Sequence, residues 1–180
     1  TPSSFSCADI DDGPIAVEFT VVDVNNNVSE PVTIYVTVQD NIAPVAICDQ
    51  NTVVGINSVG IGYAYALNID DGSYDACGVK SIEIRRMDEG GPFLDKVLFT
   101  CADLGAPVIV ELKVTDNGGL MNTCMANVVV QDKHAPEVSG PADLDIDCGD
   151  DYLPLSQFGE FSFTDACNVD TMTVVDIGLN

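Results

Sequence analysis

Asp70, Asp71, Ser73 and Asp75 stand within six residues in the stretch NIDDGSYDACG, and Asp40 and Asn41 stand side by side in QDNIAP. Carboxylates this close repel one another unless something cancels their charge. A hard cation such as Ca²⁺ does so, taking six to eight oxygens from carboxylates and carbonyls in a flexible loop. The spacing lacks the closing glutamate of an EF-hand, so a helix–loop–helix site is excluded. The bland explanation of the same residues is a solvated turn, in which aspartate bonds its own backbone.

The acidic residues recur. VTVQDNIAP over 36–44 returns as VVVQDKHAP over 128–136, aligning Asp40 with Asp132 and Pro44 with Pro136. CADIDDGPIAVEFTVVD over 7–23 matches CADLGAPVIVELKVTD over 101–116, and SYDAC over 73–77 matches FTDAC over 163–167. The period is about 90 residues, the length of one β-sandwich module rather than of a solenoid repeat. Taking Ala-Pro as the start of a module, residues 1–42 are the C-terminal half of one, 43–134 a complete one, and 135–180 the N-terminal half of the next. Candidate cation ligands at the junctions are Asp40, Asn41, Asp70, Asp71, Asp75, Asp116, Asp132 and Asp165. Lys133 replaces Asn41 in the second copy, which weakens the second junction as a metal site.

The elements that must position these residues read as strands. β-branched or alternating runs (PIAVEFTVVD, PVTIYVTVQD, YAYALNI, KSIEIRRM, PVIVELKVTD, ANVVVQD, TMTVVDI) are separated by NNN, DDGS, EGGP, DNGG and GDD. In the 108–115 run, Val108, Val110, Leu112 and Val114 fall on one face and Ile109, Glu111, Lys113 and Thr115 on the other, as in a half-buried strand. The expected fold is all-β: tandem immunoglobulin-like β-sandwich modules placed end to end, with little bending at the Ala-Pro linkers because proline restricts itself and its predecessor.

With 29 acidic residues against 6 basic ones, a net charge of −23, the chain lacks the basic footprint of a nucleic-acid binder. No apolar run is long enough to span a membrane as a helix. Seven cysteines without a Cys-x-x-Cys pair, and a single histidine, His134, argue against zinc and for disulfides in an oxidising, extracellular place. The central module holds Cys48, Cys77, Cys101 and Cys124, which allow three pairings. Cys48 lies in the first strand and Cys124 opens the last, and these neighbour each other in many sandwiches, so Cys48–Cys124 is expected, leaving Cys77–Cys101. Cys7 is expected to pair outside the chain. Cys148 and Cys167 pair either with each other or beyond it.

Together APVAICDQNTVV, DDGSYDACG, IRRMDEGG, FTCADLG, VTDNGGLMNTCMANVVVQD and GPADLDIDCGDD resemble the hyalin-repeat (HYR)-like, immunoglobulin-type modules strung along giant bacterial surface proteins. QDNIAP alone resembles the cadherin linker, whose Asp-Asn-Ala-Pro ending ligates calcium between domains. The HYR resemblance covers nearly all of the chain, with Gly140 standing where such modules often carry a cysteine. It implies an adhesin or surface appendage of gliding or predatory bacteria, exported to the cell surface.

Nothing in the sequence makes an enzyme. His134 sits in a linker beside Pro136, and EGGP and DNGG lack the Lys-Ser sequel of a phosphate loop. Arg85 and Arg86 are expected to pair with local acids or to cover a strand edge. The expected role is a disulfide-stapled, calcium-stiffened spacer whose partners are neighbouring modules and other copies in a filament or bundle. The alternatives are a glycan- or protein-binding adhesion module meeting target-cell ligands, for which Tyr63, Tyr65 and Tyr74 are the exposed-aromatic candidates, and an accessory domain of a secreted hydrolase.

Overall fold

The computed structural model describes residues 4–10, 12–140, 159, 161–169 and 171. All of the expected run at 171–177 but Thr171, and Cys148, lie outside the described residues. The chain is all-β, and among the described residues there are one single-turn helix and two short 3-10 turns.

The first strands, β1 (Ile15–Phe19) and β2 (Val32–Val36), form an antiparallel pair. Its turn is closed by Asp23, whose carboxylate accepts from the Asn25 and Asn27 amides at 2.8 Å. These bonds, led by the one from the Asn27 side chain, hold the Asp23 carboxyl below the usual carboxylate range. Phe19, Val32, Ile34 and Tyr35 remain exposed, so neither face of this hairpin is fully covered.

Six strands follow: β3 (Asn51–Ile56), β4 (Ile61–Tyr65), β5 (Val79–Arg86), β6 (Lys96–Thr100), β7 (Val108–Asp116) and β8 (Met121–Asp132). One sheet has the order β3-β8-β7-β5, in which β3 runs parallel to β8 and the other pairs are antiparallel. The other sheet is the antiparallel pair β4-β6. The YAYALNI run divides: β4 ends at Tyr65, and Ala66–Ile69 turn once as helix α1, burying Ala66 and Ile69. No propensity signal dictates this turn; the Asp95 carbonyl and the core position of Ile69 do.

Both sheets contribute to one core. Val54 and Ile56 of β3, Ala64 of β4, Ile84 of β5, Val97 and Phe99 of β6, Val110, Leu112 and Val114 of β7, and Ala126, Val128 and Val130 of β8 are buried together. The alternation in β7 therefore holds, with one exception. Glu111, on the opposite face, is also buried, because Arg85 holds its carboxylate at 2.6 Å. After β8 come β9 (Glu137–Ser139) and β10 (Ser162–Thr164), a short antiparallel pair with both strands exposed.

Candidate functional site

Two sites repeat in the structure as they do in the sequence. At each, a Ser or Thr caps a 3-10 turn that presents a cysteine. Ser6 Oγ accepts from the Ala8 amide, and Asp9 accepts from the Ser6 amide at 2.7 Å. Thr100 Oγ1 accepts from the Ala102 amide, and Asp103 accepts from the Thr100 amide at 2.8 Å. This is the reciprocal capping box, with the acid in the third position. Facing each turn is a DAC loop whose aspartate accepts from the amide of its own cysteine: Asp75 from Cys77 at 2.7 Å, Asp165 from Cys167 at 2.8 Å.

The cysteines of turn and loop are bonded: Cys7 to Cys77 and Cys101 to Cys167, each with Cα atoms 5.2 Å apart. A third bond, Cys48–Cys124, links the approach to β3 with β8, as expected from the sequence. The expected Cys77–Cys101 bond is not made, and Cys7 finds its partner inside the chain. The reason is the length of β8. Cys77 lies by the Asp116 end of β7, where the β7–β8 turn begins, since Asn117 Nδ2 donates to the Cys77 carbonyl. Cys101 lies by the other end of β8, since Leu104 bridges to Val130. At about 3.4 Å of rise per residue, the strand between those points spans roughly 30 Å, far beyond the reach of a disulfide. Each staple instead joins a CAD turn to the DAC loop that follows it by 70 or 66 residues.

The acids gather unevenly. Carboxylate oxygens of Asp40 and Asp75 and the sulfur of Cys77 lie within 4.8 Å of one another. Because Cys77 is oxidised, its sulfur is no thiolate ligand. Asp40 Oδ1 accepts from the Ile42 amide at 3.0 Å, while Asp40 Oδ2 is buried without a partner. Asp116 is wholly buried: Oδ1 accepts from the Leu120 amide at 2.8 Å, and Oδ2 also has no partner. Gly118 lies between them. A Cβ there would sit 3.3 Å from Asp116 Oδ1 and 3.7 Å from Asp40 Cβ, so only a residue without a side chain leaves this space open.

Asp116 therefore belongs to the joint of Asp40 and Asp75, not to that of Asp132. The antiparallel reversal from β7 into β8 explains this, since it returns the Asp116 turn to the end of the sheet opposite Asp132. Asp70 spends its carboxylate on the Gly72 and Ser73 amides, at 3.4 and 3.0 Å, and Asp71 and Asn41 are exposed. Neither Asp70 nor Asp71 joins the grouping of Asp40 with Asp75, and Asp116 stands outside it as well. At the second joint, Asp132 accepts from the His134 amide at 2.9 Å, the counterpart of Asp40 and Ile42. Asp165 lines a cleft of about 330 Å³ there with Ser58, His134 and Glu137. Asp40 and Asp116 thus each bury one carboxylate oxygen without a partner, and of these three acids only Asp40 and Asp75 are grouped with carboxylates within 4.8 Å of each other.

One residue the sequence left undecided proves central. Arg86 is 8% exposed and donates through Nη1 and Nη2 to Asp103 at 3.0 and 2.6 Å, through Nη2 to Asp88 at 2.7 Å, and through Nη1 to the Leu98 carbonyl at 2.9 Å. The guanidinium holds the Asp103 and Asp88 carboxyls below the usual range, and they push its own pKa up. On the neighbouring surface Tyr63 and Tyr65 lie 6.5 Å apart, with Lys96 Nζ 4.5 Å from the Tyr63 ring. Tyr63 and Lys96 border a cleft of about 360 Å³ with Arg85 and Glu89.

No protein-family model and no curated protein matches the chain. Fold and site define a β-rich, disulfide-bonded protein. Three disulfides point to an oxidising, extracellular environment. No helix among the described residues is long and apolar enough to cross a membrane.

Proposed function

We propose that the chain is a structural repeat segment of a large secreted or surface-anchored bacterial adhesin or filament, a spacer of tandem immunoglobulin-like, HYR-like modules. The observation that carries this reading is the recurrence of one joint: the same capped CAD turn, bonded to the same DAC loop, at two places about 90 residues apart. A bond repeated in that way fixes neighbours to one another rather than shaping a reaction centre. The parallel pairing of β3 with β8 beside an antiparallel β8-β7-β5 run favours an immunoglobulin-like sandwich over 43–134. The uncovered faces of β1-β2 and β9-β10 are what half-modules at 1–42 and 135–180 would present. In this reading Asp40, Asp75 and Asp116 hold a divalent cation at the first joint, calcium by its preference for oxygen ligands.

Small-angle scattering tests the spacer. A rod whose length grows in step with module number is the expected profile; a compact particle of constant maximum dimension per added module overturns it. The second reading, a glycan- or protein-binding adhesion module, is favoured by the cleft beside Tyr63. Retention on a glycan array that is lost in Tyr63→Ala would favour it instead.

A further inference from the structure

We propose that the staples give the chain a short covalent load path, making it a strap of limited extension. A pull entering at Cys7 crosses the disulfide to Cys77, follows residues 78–100, and leaves through Cys101 to Cys167. Residues 8–76 and 102–166 are bypassed. The Ala43-Pro44 linker and both valine-rich strands that lead into Ala-Pro lie in the bypassed stretches and bear no direct tension.

The limit follows from covalent reach. Cys7 and Cys167 are 160 steps apart along the backbone, which at about 3.4 Å per residue extends to roughly 550 Å. Through the staples the route is the 24 steps from Cys77 to Cys101 plus two bridges with Cα separations of 5.2 Å, roughly 90 Å in all. The loaded segment is also the one that Arg86 braces. Its guanidinium, on β5, grips Asp103 in the turn that bears Cys101, the Leu98 carbonyl of β6 and Asp88 at the end of β5. Tension that would draw β5 and β6 apart must first break these bonds. The usefulness of a strap rests on the spacer reading; the extension limit itself does not.

The test is single-molecule force spectroscopy on the full chain, pulled by handles at its two ends. The oxidised protein should release about 90 Å at most between Cys7 and Cys167, and about six times as much in reductant. Cys101→Ser with Cys167→Ser opens the second staple, leaving the shortest route through Cys48–Cys124, 72 steps or roughly 250 Å. These limits depend only on which cysteines are bonded, so each protein is peptide-mapped without reduction and read against the bonds it holds. Arg86→Ala should lower the force at which the segment yields and leave the final extension unchanged. An oxidised wild type that stretches well beyond about 90 Å, or a double variant no longer than wild type, overturns the proposal. If the limit holds but scattering shows a compact particle, the strap stands and the spacer reading falls.

Discussion

Arg86 and Asp103 are joined by two hydrogen bonds, at 2.6 and 3.0 Å, and the Asp103 oxygen that accepts the longer one also accepts from the Thr100 amide. A single carboxylate thus closes the capping box of the turn that presents Cys101 and anchors the one arginine buried in the described residues. Removing the arginine leaves Asp103, 11% exposed, without its counter-ion. Arg86→Ala is expected to cost about 3 kcal/mol, the range for breaking a buried ion pair. Arg86→Lys should recover only part of it, since an ammonium cannot make the paired contacts of the guanidinium fork. Chemical denaturation of the oxidised protein measures both.

The same pair predicts a pH dependence. Arg86 depresses the folded-state pKa of Asp103 and Asp88 below the ordinary 3.8. A depressed carboxylate stabilises the fold at pH well above its unfolded value, and the contribution is lost as pH falls through the folded value. Wild-type stability relative to Arg86→Ala should therefore be constant from neutral pH down to about 5 and shrink below 4. Taking the difference removes the background change as the strongly acidic chain is neutralised. A gap between the two proteins that is unchanged at pH 2.5 would contradict the assignment.

Peptide mapping without reduction should recover Cys7–Cys77, Cys48–Cys124 and Cys101–Cys167. Replacing Cys48 and Cys124 by alanine opens a 76-residue loop and is expected to cost about 4 kcal/mol in the chain-entropy model. Recovery of a Cys77–Cys101 peptide would overturn the joint as described.

The cation proposed for Asp40, Asp75 and Asp116 predicts opposite responses in two solutions. Calcium should raise the melting temperature of wild type but not of Asp40→Asn with Asp116→Asn. In chelator that double variant should melt higher than wild type, because it no longer buries two unpartnered carboxylate oxygens. A wild type indifferent to calcium up to about 10 mM, ten times the weakest typical extracellular affinity, would remove the metal from the reading.

Gly60 sits at φ +75°, and a Cβ there would lie 2.8 Å from Cys101 Sγ. Gly60→Ala should displace the second staple and leave a free thiol pair at Cys101 and Cys167, countable with a thiol reagent, while Cys7–Cys77 stays closed.

The strand content was legible because alternation and turn residues are local signals: the runs at 14–23, 31–40, 80–87, 107–116 and 126–132 each overlap a strand. Strands β3 and β6 were not singled out, since NTVVGI and KVLFT are short runs among polar neighbours. The repeat marked the CAD turns and DAC loops, yet not which of them bond to each other. Periodicity assigns Cys101 and Cys77 to equivalent places in every unit, but it is equally satisfied by bonds within a unit and by bonds to the next. Choosing between them needed the length and direction of β8, which is tertiary information. The neighbours of Asp116 were illegible for the same reason: its position in the period says nothing about which end of the sheet its hairpin faces.

The staples also impose an order of assembly. As the chain emerges from its N-terminus, Cys7 must stay reduced until Cys77 follows 70 residues later, and Cys101 must wait 66 for Cys167. During each wait the nearest available partner is the wrong one. Cys48 reaches Cys7 after 41 residues (48 − 7) and Cys124 reaches Cys101 after 23 (124 − 101), and a shorter loop closes at lower entropic cost. An export route for this chain therefore has to delay oxidation or reshuffle early bonds, and each correct bond forms only when the next stretch of polypeptide has arrived to receive it.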